Sequence, residues 1–292
     1  MKSWSGKSRA GDILIEMSTL FRRLSLFVIV IACALGVGGM WQAMTSRPDV
    51  ISPRKIEEVT PVPEPVRSTW AEGIERVTYA YSTTTRGVID LFGFDQATYR
   101  ASMRTTSSAF ITDKWMQTDG SIVALVNGAY FLEDFSPAGF LVINGKGNRE
   151  RAFDWHRTGL MVFGEQMTIR ETTTVPSDIA TLKDAAQSYP FLIKDGKPAV
   201  SEDSGLRARR SFIGTDTDGR VWIGILWDDA LSLYELSQRL AELPIQWTQA
   251  MNLDGGPSSG LFVRAPGERR LREDVAYTSF VGVPNVVVIE KR

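Results

Sequence analysis

Ala250-Met251-Asn252-Leu253-Asp254-Gly255-Gly256-Pro257-Ser258-Ser259-Gly260, followed at once by Leu261-Phe262-Val263, is the stretch from which the chain is read. An apolar approach ends in a carboxamide and a carboxylate two residues apart, and glycines, a proline and two hydroxyls separate it from a second apolar run. If the approach is a strand, Asn252 and Asp254 share a face, because strand side chains alternate with period 2. Gly255 and Gly256 open conformations closed to other residues and admit a ligand close to the main chain. Their N–H groups and the Ser258 and Ser259 hydroxyls form a candidate anion-binding concavity. The competing reading is a sharp turn between strands with Asp254 as its local cap.

The surroundings of this loop are strand-like. Upstream, Leu231 to Leu243 spaces its leucines helically behind Ser232, a candidate cap, and this helix leads into the loop. Before it, Phe212 to Thr215 and Val221 to Trp227 flank an Asp218-Gly219 turn, with Arg207, Arg209 and Arg210 at one mouth and Asp228-Asp229 at the other. Further strands are expected at Ile74 to Tyr81, Val88 to Phe94, Ile122 to Val126, Gly159 to Phe163, Met167 to Glu171 and Val281 to Ile289. Gly139 to Lys146 and Phe191 to Lys197 read as strands closed by Asn-Gly and Asp-Gly hairpin turns. Asp178 to Ser188 reads as a short helix capped by Ser177 or Asp178, and Asp95 to Met103 is open to either reading. Strands outnumber helices, which predicts an α+β domain on mixed, mainly antiparallel sheets.

Composition narrows the chemistry. A net charge of -1 over 292 residues leaves no electrostatic footprint for nucleic acid, so no nucleic-acid partner is expected. The one cysteine, Cys33, lies in an apolar N-terminal run, so the rest of the chain has no disulfide and no thiol nucleophile. The one histidine, His156, excludes a metal cage of several histidines and is the sole possible base of a Ser-His-Asp triad. No metal and no cofactor are expected; the working groups are carboxylates, hydroxyls, amides and cations.

Leu24 to Met44 carries no charge and is long enough to cross about 30 Å of hydrocarbon. Arg22 and Arg23 precede it directly, which predicts a single-pass anchor in the cytoplasmic membrane, residues 1–23 inside and the remainder outside, in the periplasm. A cleaved signal is the alternative: Val30-Ile31-Ala32-Cys33 resembles a loose lipoprotein box, and Met17 offers a second start. Residues 45–69, with Pro48, Pro53, Pro61, Pro63 and Pro65, read as a semi-rigid tether to a domain at 70–292.

Five short motifs in register carry a family resemblance: Val126 to Phe131, Gly139 to Lys146, Pro190 to Lys197, Arg210-Ser211-Phe212-Ile213-Gly214 and Asn252 to Ser259, with a helix before the last. In that order they resemble the phosphodiester glycosidase family, over roughly Trp70 to Ile289. The resemblance implies cleavage of the glycosidic bond of a sugar phosphodiester, with a sugar phosphate or polysaccharide as substrate. It departs from the family at Pro257, where a third glycine is usual, at Ala208-Arg209, where histidine and proline are common, and at Trp227-Asp228-Asp229, where Asp-Gly is common.

Such a reaction needs a stabilised phosphate leaving group, support for an oxocarbenium-like centre, and an activated water or a nucleophile. Asp254 is the candidate base or nucleophile, and Arg210 the candidate phosphate clamp, because its planar fork matches two phosphate oxygens. Asn127 and Asn252 would orient sugar hydroxyls or phosphate. Gly255, Gly256, Ser258 and Ser259 are candidate substrate contacts, with Asp228, Glu133 or Asp134 as a second carboxylate and Trp227 as a stacking platform. Each has a structural alternative: turn residue, surface ion pair, cap or core. Asn127, Arg210, Asn252 and Asp254, each at the end of a strand-like run, are expected to converge on one cleft. The alternative to an enzyme is a glycan-binding or polysaccharide-assembly protein on the same fold.

Overall fold

In the computed structural model, the residues described are 64–81, 87–147, 158–172, 176–228, 231–267 and 273–292. The apolar span 24–44 with Cys33, most of the proline-rich stretch, His156 and Asp229 lie outside them. No helix among the described residues is long and apolar enough to cross a membrane. Thr60–Arg292 forms one unit of the chain. Its first strand, β1 (Val66–Ala71), begins inside the stretch assigned to the tether.

Three sheets build it. The largest has eight strands in the order β1, β2 (Ile74–Ala80), β3 (Val88–Asp95), β14 (Arg220–Leu226), β13 (Arg210–Asp216), β15 (Trp247–Asn252), β11 (Phe191–Lys194), β12 (Lys197–Pro198). A second runs β7 (Lys146–Gly147), β6 (Leu141–Ile143), β10 (Ala185–Ser188), β8 (Gly159–Phe163), β9 (Met167–Glu171). The third runs β17 (Val275–Tyr277), β16 (Leu261–Val263), β5 (Ile122–Asn127), β18 (Val283–Lys291), β4 (Tyr99–Phe110). Every strand pair among the described residues is antiparallel, so the expectation of mixed sheets is corrected to antiparallel ones.

Period-2 alternation explains why the middle strands of the large sheet are apolar throughout. Phe92 and Phe94 of β3, with Val221, Ile223 and Ile225 of β14, face a core shared with the other two sheets. Ile89, Leu91, Trp222 and Leu226 face the opposite way, onto helix α2 (Leu233–Ala241) through Leu236 and Leu240. That helix starts as expected: Ser232 Oγ accepts from the Glu235 N–H at 3.2 Å, and the Glu235 carboxylate accepts from the Ser232 N–H at 2.8 Å. A shorter helix, α1 (Thr112–Thr118), covers the outer face of the third sheet with Trp115 and Met116.

The helix expected at 178–188 does not form. Residues 177–181 are a turn, and Ala185–Ser188 is a fully buried strand between β6 and β8. Its alanines favour a helix on intrinsic propensity, but a narrow slot between two strands takes small side chains, and Gln187 exchanges hydrogen bonds with Phe140 across it. Both hairpin turns match expectation, with positive φ at Asn144-Gly145 (51°, 72°) and Asp195-Gly196 (49°, 74°).

Candidate active site

Strand β15 lies between β13 and β11, with Asn252 opposite Phe212 and Met251 opposite Phe191. It ends where the chain passes from the first sheet to the third. The crossing is pinned at one residue: the Asp254 N–H donates to Gly128 O at 3.2 Å, and Asp254 O accepts from Asn127 Nδ2 at 2.6 Å and Ser211 Oγ at 3.0 Å. Three strand ends thus fix the backbone that carries the Asp254 side chain. Gly128 is required in this clamp, because a Cβ there would meet Asn285 Oδ1 at 1.9 Å.

Asn127 is fully buried, and its second amide atom is also taken, Oδ1 accepting from the Gly260 N–H at 3.1 Å. Both amide atoms of Asn127, where the motif suggested a substrate contact, are thus bonded to backbone within the protein. Asn252 differs. Its Nδ2 donates to Tyr130 Oη at 2.6 Å and Leu253 O at 2.7 Å, while its Oδ1 is buried with no protein partner. Tyr130 stacks on Tyr189, ring centroids 5.0 Å apart, and donates to Tyr189 O. Tyr130 lies within the motif Val126 to Phe131 and Tyr189 adjoins the motif Pro190 to Lys197, but neither carries a signal of its own in the sequence.

The glycine turn presents less backbone to a ligand than its composition suggests. The Gly256 N–H donates to Arg209 O at 2.9 Å, Pro257 has none, and the Ser258 and Ser259 N–H groups close the turn on Gly255 O and Gly256 O. Among the described residues the Gly255 N–H alone in this turn donates to nothing. Gly256 sits at φ 61° with open space where a Cβ would stand. Ser258 and Ser259 are buried, and Ser259 Oγ has no partner.

Arg210, the first residue of β13, lays its guanidinium against this turn: a Cβ on Gly255 would stand 3.3 Å from Arg210 Nη1. Its Nη2 donates to Leu206 O at 3.2 Å, its Nε is buried without a partner, and among the described residues it makes no ion pair. Burial pushes its pKa down, opposed in part by the nearby Tyr130. The nearby group that acts electrostatically on this cation is thus a tyrosine hydroxyl, and no ion pair joins Arg210 to a carboxylate among the described residues. Next to it, the Arg209 guanidinium stacks on Phe280 at 3.7 Å and on Trp227 at 4.5 Å. Phe280 in turn donates its N–H to Pro257 O at 2.8 Å.

Asn127, Arg210, Asn252 and Asp254 therefore meet around one turn. Asp228 does not join them: Tyr81 Oη donates to it, in the cluster packed on the α2 side of the large sheet. Alternation at the end of β14 sends Trp227 the other way, onto Tyr277 and Phe280. Glu133 is exposed in a loop closed by Leu132 and Ser136, and Asp134 caps that loop by accepting from the Ser136 N–H at 2.9 Å. A cavity of about 1520 Å³ lies elsewhere, between β4 and the second sheet, and none of the site residues lines it. The chemistry gathers at the turn rather than in that groove: Arg210 Nε, Asn252 Oδ1 and Ser259 Oγ are three of the five buried side-chain polar atoms left without a partner among the described residues.

Comparison with solved structures finds the same fold in distant proteins. A hypothetical protein from Synechocystis aligns over 79% of this chain with 13% identity and a TM-score of 0.55; this chain spans 64% of that one. The zebrafish N-acetylglucosamine-1-phosphodiester alpha-N-acetylglucosaminidase catalytic domain, auto-inhibited by a pro-peptide, aligns over 80% of this chain and 85% of its own, with 13% identity and a TM-score of 0.52. Comparison with curated protein sequences returns no match. The sequence profile of the phosphodiester glycosidase family matches residues 120–290, a span that holds the Asn127 clamp, Arg210 and the Asp254 turn, and the chain belongs to that family.

Proposed function

We propose that this protein hydrolyses the glycosidic bond between a sugar and a phosphodiester, at the turn around Asp254. The observation that carries this reading is the set of unpartnered polar groups gathered there. Arg210 Nε and the Gly255 N–H are donors suited to phosphate oxygens, and Asn252 Oδ1 is an acceptor suited to a sugar hydroxyl. Buried polar groups left without partners cost free energy, and a bound sugar phosphate supplies the partners. Water adds across the bond: the anomeric carbon–oxygen bond breaks, the phosphate leaves with the electron pair, and the water oxygen joins the anomeric carbon directly or after a covalent step. Asp254 takes the water proton or forms that covalent link. Arg210 and the Gly255 N–H stabilise the charge on the departing phosphate.

Release of free sugar from a synthetic sugar phosphodiester by the full chain tests this. Asp254→Asn should lower turnover by at least about 10³-fold, roughly 4 kcal/mol of barrier, with binding retained. Turnover within about tenfold of the parent would make Asp254 a structural cap. Binding without release by the parent would favour the glycan-binding alternative, which the loss of a turn N–H at Pro257 supports.

The uncharged run Leu24 to Met44 behind Arg22 and Arg23 supports a membrane-anchored placement with the catalytic unit outside the cytoplasm, where envelope or exported polysaccharide supplies sugar phosphodiesters. Protease added to intact spheroplasts should digest the domain, and full protection there would rule out this orientation.

A further inference from the structure

Loops bonded to the turn carry exposed apolar side chains, while the turn itself is flanked by arginines. Eight large apolar side chains stand exposed among the described residues, and six of them, Leu132, Phe135, Tyr189, Leu206, Phe280 and Val281, come from four separate loops around the Asp254 turn. Four are tied to the site through their backbone. Tyr189 O accepts from Asn252 Nδ2, Leu206 O accepts from Arg210 Nη2, and the Phe280 and Val281 N–H groups both donate to Pro257 O. Leu132 and Phe135 belong to the loop that Tyr130 O closes by accepting from the Ala138 N–H. Leu206 and Phe280 are 71% and 63% exposed. Single exposed apolar residues are ordinary on a protein surface, but several of them on loops bonded to one turn mark a binding surface.

We propose, building on the reading of the turn as a phosphodiester glycosidase site, that the group on the far side of the phosphate is a long hydrocarbon alcohol: the substrate is a lipid-linked sugar phosphate. Charge and apolarity select this occupant together. Arg209 and Arg210 flank the glycine turn and make no ion pair among the described residues, so the ligand brings an anion to the turn. The anion's outward substituent then meets Leu206, Phe280 and Val281, which offer almost nothing to a hydrophilic acceptor and remove a hydrocarbon chain from water. A phosphate ester with one sugar arm and one alkyl arm satisfies both. Hydrolysis releases free sugar, and the alkyl phosphate leaves with the electron pair of the broken bond.

The test compares two substrates with the same sugar, one a methyl phosphodiester and the other a decyl phosphodiester, each below its critical micelle concentration, on the full chain in a fixed detergent background. Turnover and equilibrium binding are both measured. The decyl ester should be favoured at least about tenfold in kcat/KM, or in Kd where turnover is absent. A double variant, Phe135→Asn with Leu206→Ser, should bring that ratio to within about twofold of unity; asparagine tolerates the positive φ of 64° at position 135. If the double variant fails to fold, Phe280→Ser gives the same readout. Equal handling of the two esters overturns the inference and leaves the glycosidase reading standing if sugar is released. A preference that survives the variants also overturns it. A rim that seats a second copy of the chain would show as equal handling of the esters with a lower oligomeric state in Phe280→Ser. Tight, chain-length-dependent binding without sugar release supports the lipid-linked ligand and overturns only the glycosidase.

Discussion

Arg76 and Arg210 are both partly buried arginines at the edge of the same central core, and the protein treats them in opposite ways. Arg76 makes a bidentate pair with Asp90, Nε to Oδ1 at 2.9 Å and Nη2 to Oδ2 at 2.7 Å. Asp90, fully buried on β3, also accepts from Thr78 Oγ1 and Tyr277 Oη, each at 3.1 Å. Trp70 and Phe92 lie against the guanidinium, and the hydrogen bond to Asp90 raises the pKa of Arg76. Arg210 has one carbonyl partner, an orphan Nε and a pKa pushed down by burial. The satisfied arginine ties β2 and β3 of the large sheet to β17 of the third; the other keeps a buried donor without a partner among the described residues. Polar satisfaction, more than burial or residue type, separates the two charges in this fold.

Substitutions at the two sites test that contrast, and the largest effect belongs to the satisfied network. Asp90→Ala leaves the Arg76 guanidinium and the Tyr277 hydroxyl without their acceptor, so unfolding should become easier by about 3 kcal/mol. Chemical denaturation measures this directly; a loss under about 1 kcal/mol would mean that solvent replaces the carboxylate and that the network is not structural.

Arg210→Met should do the reverse on stability and function. It removes a partly desolvated cation with no counter-charge, so stability should stay level or rise by about 1 kcal/mol, while affinity for a phosphodiester falls. A drop in stability matching that of Asp90→Ala would erase the distinction between the two arginines. Arg210→Lys should weaken binding as well, because an ammonium cannot reproduce the planar fork.

The smallest effect marks the exposed end of the same scale. Arg104 pairs with Asp119 at 2.9 Å and with Glu290 at 2.6 Å on the outer edge of the third sheet. Hydrogen bonds from Ser121, and then from Arg104, hold the Asp119 carboxyl down at about 2 from its ordinary 3.8. A depressed folded pKa contributes stability above the unfolded value, and that contribution disappears as pH falls from about 4 to about 2. The Tm difference between the parent and Asp119→Asn should therefore be small at neutral pH and vanish below pH 2. A difference that persists or grows in acid would assign the effect to packing rather than charge.

Much of the fold was legible because its signals are local. Asn144-Gly145 and Asp195-Gly196 fix hairpins through their φ angles, Ser232 and Glu235 mark a helix start within one turn of chain, and the apolar runs of β5, β14 and β18 mark buried strands. Ala185–Ser188 was misread because four small or polar residues carry no period of their own, and only the flanking strands made them a sheet.

At the site, residue types and motif order single out Asp254, Arg210, Asn127 and Asn252, and the structure brings them around one turn. Which of their polar atoms are already bonded was not readable. Asn127 and Asn252 are the same side chain at the ends of similar strands, yet Asn127 bonds both amide atoms to the Asp254 and Gly260 backbone while Asn252 Oδ1 has no partner among the described residues. Likewise, Trp227 and Asp228 are neighbours in the chain and part at the strand end toward opposite faces of a sheet. The sequence by itself determined which groups have the chemistry and which short segments bend or extend, since those depend on neighbours a few residues away. Only the tertiary structure decided which polar atoms are satisfied, because hydrogen-bond partners more than a hundred residues apart, such as Asn127 and Asp254, meet only when separate sheets close on one another.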